Sequence, residues 1–260
     1  MSGRGQLGPR PHGPAGQPRS DPHSRAPLGR ELAAGQALDS QSRSGIGPQK
    51  KARDRLIRLA ASHPEWALGF EDEPWWRRLA QPTLQAWTPE HQPLRVVEQT
   101  VPATDPAPKA LACYGLLVQE QTAQGPSPAQ GWLRFVADQP VSAVTVAFLT
   151  WVCTQLTALG KTALLLVWDN ASWHRSQAVR QWIREHNQQV KREGQGIRIV
   201  SCPLPLKSPW LNPLEAHWVH GTRAVVEPTR LLTATELPER VYAYFGCPHQ
   251  EPLSIPQEVS

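Results

Sequence analysis

The sequence has little of what marks a secreted, membrane-bound or disulfide-rich protein. Its 260 residues include only four cysteines, which lie far apart and form no Cys-x-x-Cys pair: Cys113, Cys153, Cys202 and Cys247. Three of them lie in apolar runs, as is typical of buried free thiols in a reducing compartment. The longest apolar stretch, around 144–152, is too short to span a bilayer, and the N-terminus has no apolar segment typical of a secretory signal. We therefore expect a cytoplasmic protein with no membrane partner.

Apolar residues are also scarce in the first fifty positions, where Arg, Pro, Gly and Ser dominate. Such a composition cannot form a hydrophobic core, so we predict a disordered leader over 1–49. One folded domain over 50–246 and a C-terminal tail over 247–260 should follow. The net charge of +5 and the pI of about 9.3 favour a polyanionic partner.

Two patterns of apolar residues divide the predicted domain. Up to about residue 138, short apolar runs separated by turn residues predict an antiparallel meander, with strands at 66–72, 85–87, 94–98, 110–119 and 132–138. Beyond it, helical spacing alternates with continuous apolar runs, which predicts helices at 141–159, 176–194 and 212–226 and parallel strands at 161–169 and 197–205. With a short basic helix before Pro64, this is a mixed α/β sheet flanked by helices.

Two carboxylates stand where these elements end or begin. Asp169 ends the apolar run LLLVW, and Glu215 follows Pro213, which can open a helix. We expect both acids at the carboxyl-end edge of the sheet, where they could bind hard divalent cations through oxygen. Taken singly, each also fits a plainer role, Asp169 as a helix cap and Glu215 as a solvated acid. Asn212 fits the N-cap of the helix that carries Glu215.

The strings VWDNASWHRS and SPWLNPLEAHW, with FEDEPWW upstream, resemble the DDE superfamily transposases of bacterial insertion sequences related to mariner. The resemblance covers about 56–245, and SPWLNPLE is its most specific piece. It implies a ribonuclease H-like catalytic domain whose metal-binding carboxylates are Asp72, Asp169 and Glu215. We expect four further residues to support these acids or to contact DNA: Asn170, His174, Arg175 and Asn212.

The resemblance further implies a DNA endonuclease and strand transferase that acts as a homo-oligomer on DNA and is associated with the nucleoid. Two Mg²⁺ or Mn²⁺ ions, about 3.5–4 Å apart, would activate a water or a 3′-hydroxyl and stabilise the leaving oxygen. The family carries helix-turn-helix modules ahead of the catalytic domain, whereas this sequence has the Pro- and Arg-rich leader there. We therefore expect either a truncated reading frame or a separate DNA-binding polypeptide. The alternative function is an inactive remnant that only binds nucleic acid.

The identity of the first acid stays open in the sequence. The string EDE places Glu71 and Glu73 beside Asp72 as rivals, and Asp138, at the end of its own predicted strand, is another. Only the resemblance, which places the first acid at the end of the first strand, favours Asp72.

A zinc hydrolase is a third possible class, built on His174, His217 and His220, although no convincing ligand spacing accompanies them. Candidates for stacking on unpaired bases are Trp75, Trp76, Trp173 and Trp210. Candidates for phosphate binding are Arg53, Arg55, Arg58, Arg175, Arg180, Arg184, Lys191 and Arg192.

The predicted disorder of the leader can be tested by mild proteolysis of the isolated protein, because exposed unstructured backbone is cut first. We expect mass spectrometry of the resistant fragment to show that the leader has been removed. A resistant fragment that retains residues before Gly45 would contradict the prediction.

Overall fold

The computed structural model describes residues 48–80, 100–137, 139–205, 208–227 and 230–255. In chain order its elements are α1 (Pro48–Ala61), β1 (Trp66–Asp72), β2 (Trp75–Arg77), β3 (Ala110–Thr122), β4 (Gly125–Pro126), β5 (Gln130–Phe135), α2 (Ser142–Ala158), β6 (Ala163–Trp168), α3 (Gln177–Glu193), β7 (Arg198–Pro203), a 3₁₀ turn (Pro209–Leu211), α4 (Leu214–Val225) and α5 (Glu236–Phe245). The predicted strands at 85–87 and 94–98, residue Asp138 and nearly all of the predicted leader lie outside the described residues.

One sheet joins an antiparallel half to a parallel half. β1 pairs antiparallel with one edge of β3, and β5 pairs antiparallel with its other edge. On its far side β1 pairs parallel with β6, and β6 pairs parallel with β7. The predicted order of antiparallel strands first and parallel strands after is therefore confirmed. The parallel pairs are connected through helices, as such crossovers require.

β1 and β2 run along the same edge of β3 and are separated by a two-residue break at 73–74. Asp72 lies opposite Gly115 in β1 and Trp75 lies opposite Ala112 in β2, so the register continues across the break. The second residue of the break is a proline, which has no amide hydrogen to donate to the ladder. The three consecutive acids of EDE therefore lie where one long strand is interrupted.

The two faces of the sheet bury separate hydrophobic clusters. The face covered by α1, α4 and α5 includes Leu68, Phe70, Leu165, Val167 and Trp218. The face covered by α2 and α3 includes Ala67, Leu116, Phe148, Leu164 and Leu166. Because β6 is covered on both faces, all six of its residues are buried, which explains its uninterrupted apolar run. The four cysteines are free, and Cys113, Cys153 and Cys202 are buried as predicted.

The helix α3 begins and ends where the sequence predicts. The side chain of Ser176 accepts a hydrogen bond from the amide of Val179 at 3.2 Å, which caps the first turn. Gly194, with φ of 68°, ends the helix in the left-handed region that glycine favours. No helix in the described ranges is both long and apolar enough to cross a bilayer.

Two residues predicted to contact nucleic acid are buried instead. Trp76 is 1% exposed and packs edge-on against Trp218 and Phe245, so it has no face available for a base. Arg53 is 8% exposed and donates a hydrogen bond to the carbonyl oxygen of Leu211 at 2.9 Å. It thereby ties α1 to the 3₁₀ turn, and its predicted role in phosphate binding is wrong.

Residues after the predicted end of the domain pack against the sheet. Leu253 is 4% exposed and forms a parallel bridge with Val136. Its amide donates to the carbonyl oxygen of Phe135 at 2.7 Å, and its own carbonyl accepts from the amide of Ala137 at 2.8 Å. The chain beyond α5 therefore covers β5 as far as this bridge, whereas the domain boundary at 246 stays a prediction.

Gly115, in the centre of β3, is the position where a side chain would be least tolerated. A Cβ atom there would lie 2.4 Å from two carbons of the Trp218 ring and 3.2 Å from Leu133 Cδ2. We predict that Gly115→Ala lowers the free energy of unfolding by about 1–3 kcal/mol, because overpacking forces Trp218 to move. Chemical denaturation measures this loss.

The matched control is Gly131→Ala on β5, where the nearest atom to the new Cβ would be Phe245 Cδ1 at 3.5 Å, an ordinary contact. We expect the control to be neutral or stabilising by about 0.4–1 kcal/mol, because alanine restricts the unfolded chain. Equal losses in the two variants would contradict the close packing of Trp218 on Gly115.

Candidate functional site

The parallel pairing of β1 with β6 places Asp72 and Asp169 side by side. Phe70 lies opposite Val167, and both strands run in the same direction. Two residues further along each chain are Asp72, the last residue of β1, and Asp169, the first residue after β6. The two acids therefore lie at the carboxyl-end edge of the sheet, as the sequence predicts for Asp169 and as the family resemblance implies for Asp72.

Strand alternation separates Asp72 from its two rivals. Phe70 belongs to the cluster under α1, α4 and α5, and Asp72, two residues on, faces the same side. There the indole nitrogen of Trp218 donates a hydrogen bond to Asp72 Oδ2 at 2.9 Å. Glu71 and Glu73 project to the opposite side. Their nearest partner is a histidine that follows β6.

Glu215 reaches the same edge from the first turn of α4. The side chain of Asn212 fixes the start of this helix: its Oδ1 accepts from the amide of Leu214 at 3.1 Å, and its Nδ2 donates to the carbonyl oxygen of Glu71 at 2.8 Å. The N-cap position of α4 is Pro213, one residue after the predicted Asn212, but the Asn212 side chain still binds the first helical amide and ties α4 to the end of β1. Glu215 and Trp218 are three residues apart and share one helix face.

The three predicted acids line one cleft of about 300 Å³, which we call the acid cleft (Asp72, Asp169 and Glu215). Its other walls come from the loops after β6 and β7 and from the start of α4. Asn170 is part of this wall, and its side-chain nitrogen donates to the carbonyl oxygen of Leu204. Residues from three separate parts of the chain therefore converge on one volume.

Burial and mutual repulsion disfavour the charged forms of Asp72 and Glu215 in the acid cleft. Burial raises the pKa of Asp72 to about 7, repulsion from Glu215 and Glu73 adds to this rise, and the hydrogen bond from Trp218 opposes it. Burial and repulsion from Asp169 also raise the pKa of Glu215. Mutual repulsion of this kind is relieved when a cation binds between the carboxylates.

Asp169 is the exception, because specific hydrogen bonds stabilise its charge. Burial alone would raise the pKa of Asp169, but hydrogen bonds from His174 and from the amide of Ala171 hold it below its usual range. Both contacts use Oδ1, His174 Nδ1 at 2.9 Å and the Ala171 amide at 2.8 Å. Oδ2 of Asp169 is thus available to a cation. Oδ1 of Asp72 is available as well, because the hydrogen bond from Trp218 uses Oδ2.

His174 links the acid cleft to a buried polar cluster on the other face of the sheet. The ring is 3% exposed, stacks on Trp168 with centroids 4.5 Å apart, and donates from Nε2 to Glu73 Oε1 at 2.7 Å. Both ring nitrogens thus face carboxylates, which requires an imidazolium. Burial opposes the charge, but Glu71, Asp169 and Glu73 raise the pKa of His174 to about 11.

Glu71 is the least satisfied group in this cluster. Its side chain is 1% exposed, and neither carboxylate oxygen has a hydrogen-bond partner. Oε2 lies 3.2 Å from Nε2 of His174, but the single hydrogen on that nitrogen points to Glu73. Burial and repulsion from Glu73 raise the pKa of Glu71 well above its usual range, and the charge of His174 opposes this rise.

Two sets of side chains are therefore candidates for a cation site, the buried cluster and the acid cleft. Donor atoms of Glu71, Glu73 and His174 lie within 4.8 Å of one another, the one such group found in the described ranges. Because both nitrogens of an imidazolium are protonated, this cluster offers no ring lone pair to a metal. His217 and His220 do not join it, so the alternative zinc site is not assembled there. The all-oxygen acid cleft is the better match to Mg²⁺ or Mn²⁺.

The three acids stay a prediction as metal ligands, and the contacts of two side chains around them are not predicted from the sequence. Trp218 is predicted only as part of the helix after Glu215, yet it is the hydrogen-bond donor to Asp72. Glu73 is predicted only as a rival acid, yet it accepts from His174 and from the indole of Trp173, each through Oε1. Side-chain alternation along β1 could have separated Asp72 from Glu73, since Phe70 and Asp72 must face one side of the sheet.

The remaining predicted residues divide by exposure. Trp75 and Trp210 are 51% and 50% exposed, so they stay predictions for base stacking. Arg175 is exposed and lines a second groove beside the acid cleft.

Comparisons with known proteins bear on this arrangement. Residues 129–237 match the family model of the DDE superfamily endonucleases, a segment that contains Asp169 and Glu215 but not Asp72. The resemblance to this superfamily is confirmed for that segment, whereas an origin in a bacterial insertion sequence stays a prediction. A search of curated proteins gave no match.

Among solved structures, the chain is similar to the Mos1 transposase in a paired-end complex with the left transposon end, at 14% identity and a TM-score of 0.50, covering 95% of this chain and 76% of that one. It is also similar to the Mos1 mariner paired-end complex with Mn, at 13% identity and a TM-score of 0.49, covering 85% and 64%. The catalytic domain of Mos1 mariner transposase gives 14% identity and a TM-score of 0.44, covering 88% and 87%. The first likeness confirms the predicted ribonuclease H-like fold.

The raised pKa of Asp72 predicts how stability depends on pH without metal. The pKa of the carboxyl is at its ordinary value of 3.8 in the unfolded chain and about 7 in the folded protein, so within this window the folded state keeps a proton that the unfolded state releases. The free energy of unfolding should therefore fall as pH rises through the window, and Asp72→Asn should remove that loss.

We predict that the variant and the wild type melt alike below about pH 4 and that the variant is more stable by up to about 4 kcal/mol above about pH 8. Thermal melts across pH in a chelating buffer test this, and added Mg²⁺ should narrow the gap. A stability difference that is constant with pH would show that Asp72 is not held in its protonated form.

Proposed function

We propose that the protein is a metal-dependent DNA endonuclease of the transposase type, with Asp72, Asp169 and Glu215 as its metal ligands. The observation that carries the proposal is the convergence of these acids, from the end of β1, the end of β6 and the start of α4, on one cleft. The endonuclease family model supports it over the segment that supplies two of the acids. The similarity to a transposase in complex with a transposon end supports DNA as the substrate.

The residues of the acid cleft fit two divalent ions in charge as well as in chemistry. Three carboxylates offset most of the four positive charges, which leaves a net attraction for the scissile phosphate. When bound, the ions would activate a water or a 3′-hydroxyl and stabilise the leaving oxygen. The use of two ions rather than one is part of the proposal.

The protein's own side chains orient this site. The hydrogen bond from Trp218 holds one oxygen of Asp72, and the contacts from His174 and the Ala171 amide hold one oxygen of Asp169. Asn212 sets the position of Glu215 relative to β1 by bonding both the helix start and the strand end. Each ligand is thus oriented by a neighbour that does not itself bind the cation, as metal sites commonly require.

Assembly on DNA extends the same proposal. We propose that the protein acts as a homo-oligomer on DNA and that a separate polypeptide recognises the DNA ends. The competing function is a chain that binds nucleic acid without cutting it. The two functions differ in their need for the three acids.

We predict that Asp72→Asn, Asp169→Asn and Glu215→Gln each lower nicking of DNA in Mg²⁺ or Mn²⁺ by about three orders of magnitude, with losses that do not add in double variants. Each amide keeps the shape of the side chain and removes the charge that binds the cation. Supercoiled plasmid relaxation measures the rate.

The control is Asp138→Asn, which removes the competing acid and should leave nicking near the wild-type rate. Loss of activity in this control, with an active Asp72→Asn variant, would move the first ligand to Asp138. If none of the four substitutions changed nicking by the purified chain, the protein would be a binder and not the nuclease.

A further inference from the structure

A second groove, of about 270 Å³, meets the acid cleft. Asp169 and Asn170 line both, so the two volumes are continuous at the end of β6. On the far side from Asp72 the groove is lined by three arginines, and we call it the arginine groove (Arg175, Arg180 and Arg184). Its floor is formed by Trp168 and Ile183.

The fold concentrates these three positive charges in one place. Arg180 and Arg184 are four residues apart and therefore share one face of α3, while Arg175 precedes the capping residue of the same helix. Like charges at this spacing repel and slightly destabilise a helix. The N-terminal end of a helix carries a further partial positive charge. An anion in the groove would relieve this repulsion.

These arginines differ from the arginines that stabilise the fold. Arg78 is paired with Asp105 at 2.7 Å, and Arg240 is paired with Glu227 at 2.7 Å. In the part of the chain that the structure describes, no salt bridge or hydrogen bond engages the three guanidinium groups of the arginine groove. All three are exposed. Their fork-like donors are available to a ligand from outside the chain.

We propose that the arginine groove binds the two or three backbone phosphates next to the one that is cut. This inference rests on the proposed function, because it takes the acid cleft as the place of the scissile phosphate. Successive phosphates of one strand are about 3.4 Å apart along the duplex axis, so a strand with one phosphate at Asp169 places its neighbours beside that residue. Guanidinium groups bind phosphate oxygens in a bidentate manner.

The groove gives the protein a way to hold a strand in register without reading its sequence. A contact to a phosphate that does not react is the same before and during cleavage, so it strengthens substrate binding without accelerating the chemical step. Loss of the groove should therefore raise KM and leave kcat nearly unchanged.

The test compares two variants that each lose three positive charges. One carries Arg175→Gln, Arg180→Gln and Arg184→Gln, and the other carries Lys109→Gln, Arg198→Gln and Arg223→Gln, three exposed residues that line neither volume. Fluorescence anisotropy gives the Kd for a short labelled duplex over a range of salt concentrations, and nicking is measured at saturating DNA in Mg²⁺. All six side chains are exposed, and surface substitutions change stability little, so both variants should fold.

We expect the groove variant to lose about 0.9 in the slope of log K against log salt for each phosphate contact removed, roughly 2 to 3 in all, and the control to lose less than about 1. Nicking at saturating DNA should stay within a few-fold of the wild type. If the triple variant does not fold, the three single variants should each lose about one contact's slope.

If the wild type nicks DNA and the groove variant and the control lose equal salt slopes, phosphate binding by the arginine groove is contradicted. The proposed function would then still stand. A fall in nicking at saturating DNA comparable to that of Asp169→Asn would also contradict the proposal for the groove, because the arginines would then act on the reacting phosphate. A wild type that neither binds nor nicks DNA would overturn both proposals.

Discussion

The parallel pairing between β1 and β6 is the constraint on which the site depends. It sets Asp72 beside Asp169 through the register of Phe70 with Val167. Because side chains alternate along a strand, the same pairing divides the consecutive acids of EDE between the two faces of the sheet. Asp72 faces the cleft beside α4, whereas Glu71 and Glu73 face the side covered by α2 and α3. A shift of one residue in this register would exchange the two sets.

The acids on the two faces of the sheet differ in whether a positive charge of the protein stabilises them. On the cleft face, burial and then repulsion between the acids raise the pKa values of Asp72 and Glu215 above their usual ranges. On the opposite face, a buried imidazolium of His174 neutralises its neighbours and holds Asp169 in its charged form. The internal cation therefore stabilises one wall of a site that stays short of positive charge. This combination, a fixed ligand beside strained ones, suits a site that binds metal together with a phosphate substrate.

Much of this fold could be predicted from the sequence because periodicity reports burial directly. The first strand and the helix α3 begin and end close to their predicted positions, because each follows an uninterrupted apolar pattern. The acids at 169 and 215 could be placed for the same reason, because each stands at the end or start of an apolar pattern.

The network around these acids could not be predicted, because it depends on long-range packing. Nothing local to Trp218 indicates that its indole donates to Asp72, and nothing local to Glu73 indicates a bond to His174. The misplaced surface roles of Trp76 and Arg53 have the same cause. Both residues lie in segments of polar or mixed composition, and only the packing of α1, α4 and α5 buries them.

The central claim is that the cation binds in the acid cleft and not in the buried cluster behind it. Isothermal titration of the metal-free chain with Mn²⁺ separates the two, using Asp169→Asn and Glu215→Gln for the cleft and Glu71→Gln for the cluster. We predict that the two cleft variants lose Mn²⁺ binding, whereas Glu71→Gln retains it, because Glu71 does not line the acid cleft. Binding that survives Asp169→Asn and is lost in Glu71→Gln would contradict it.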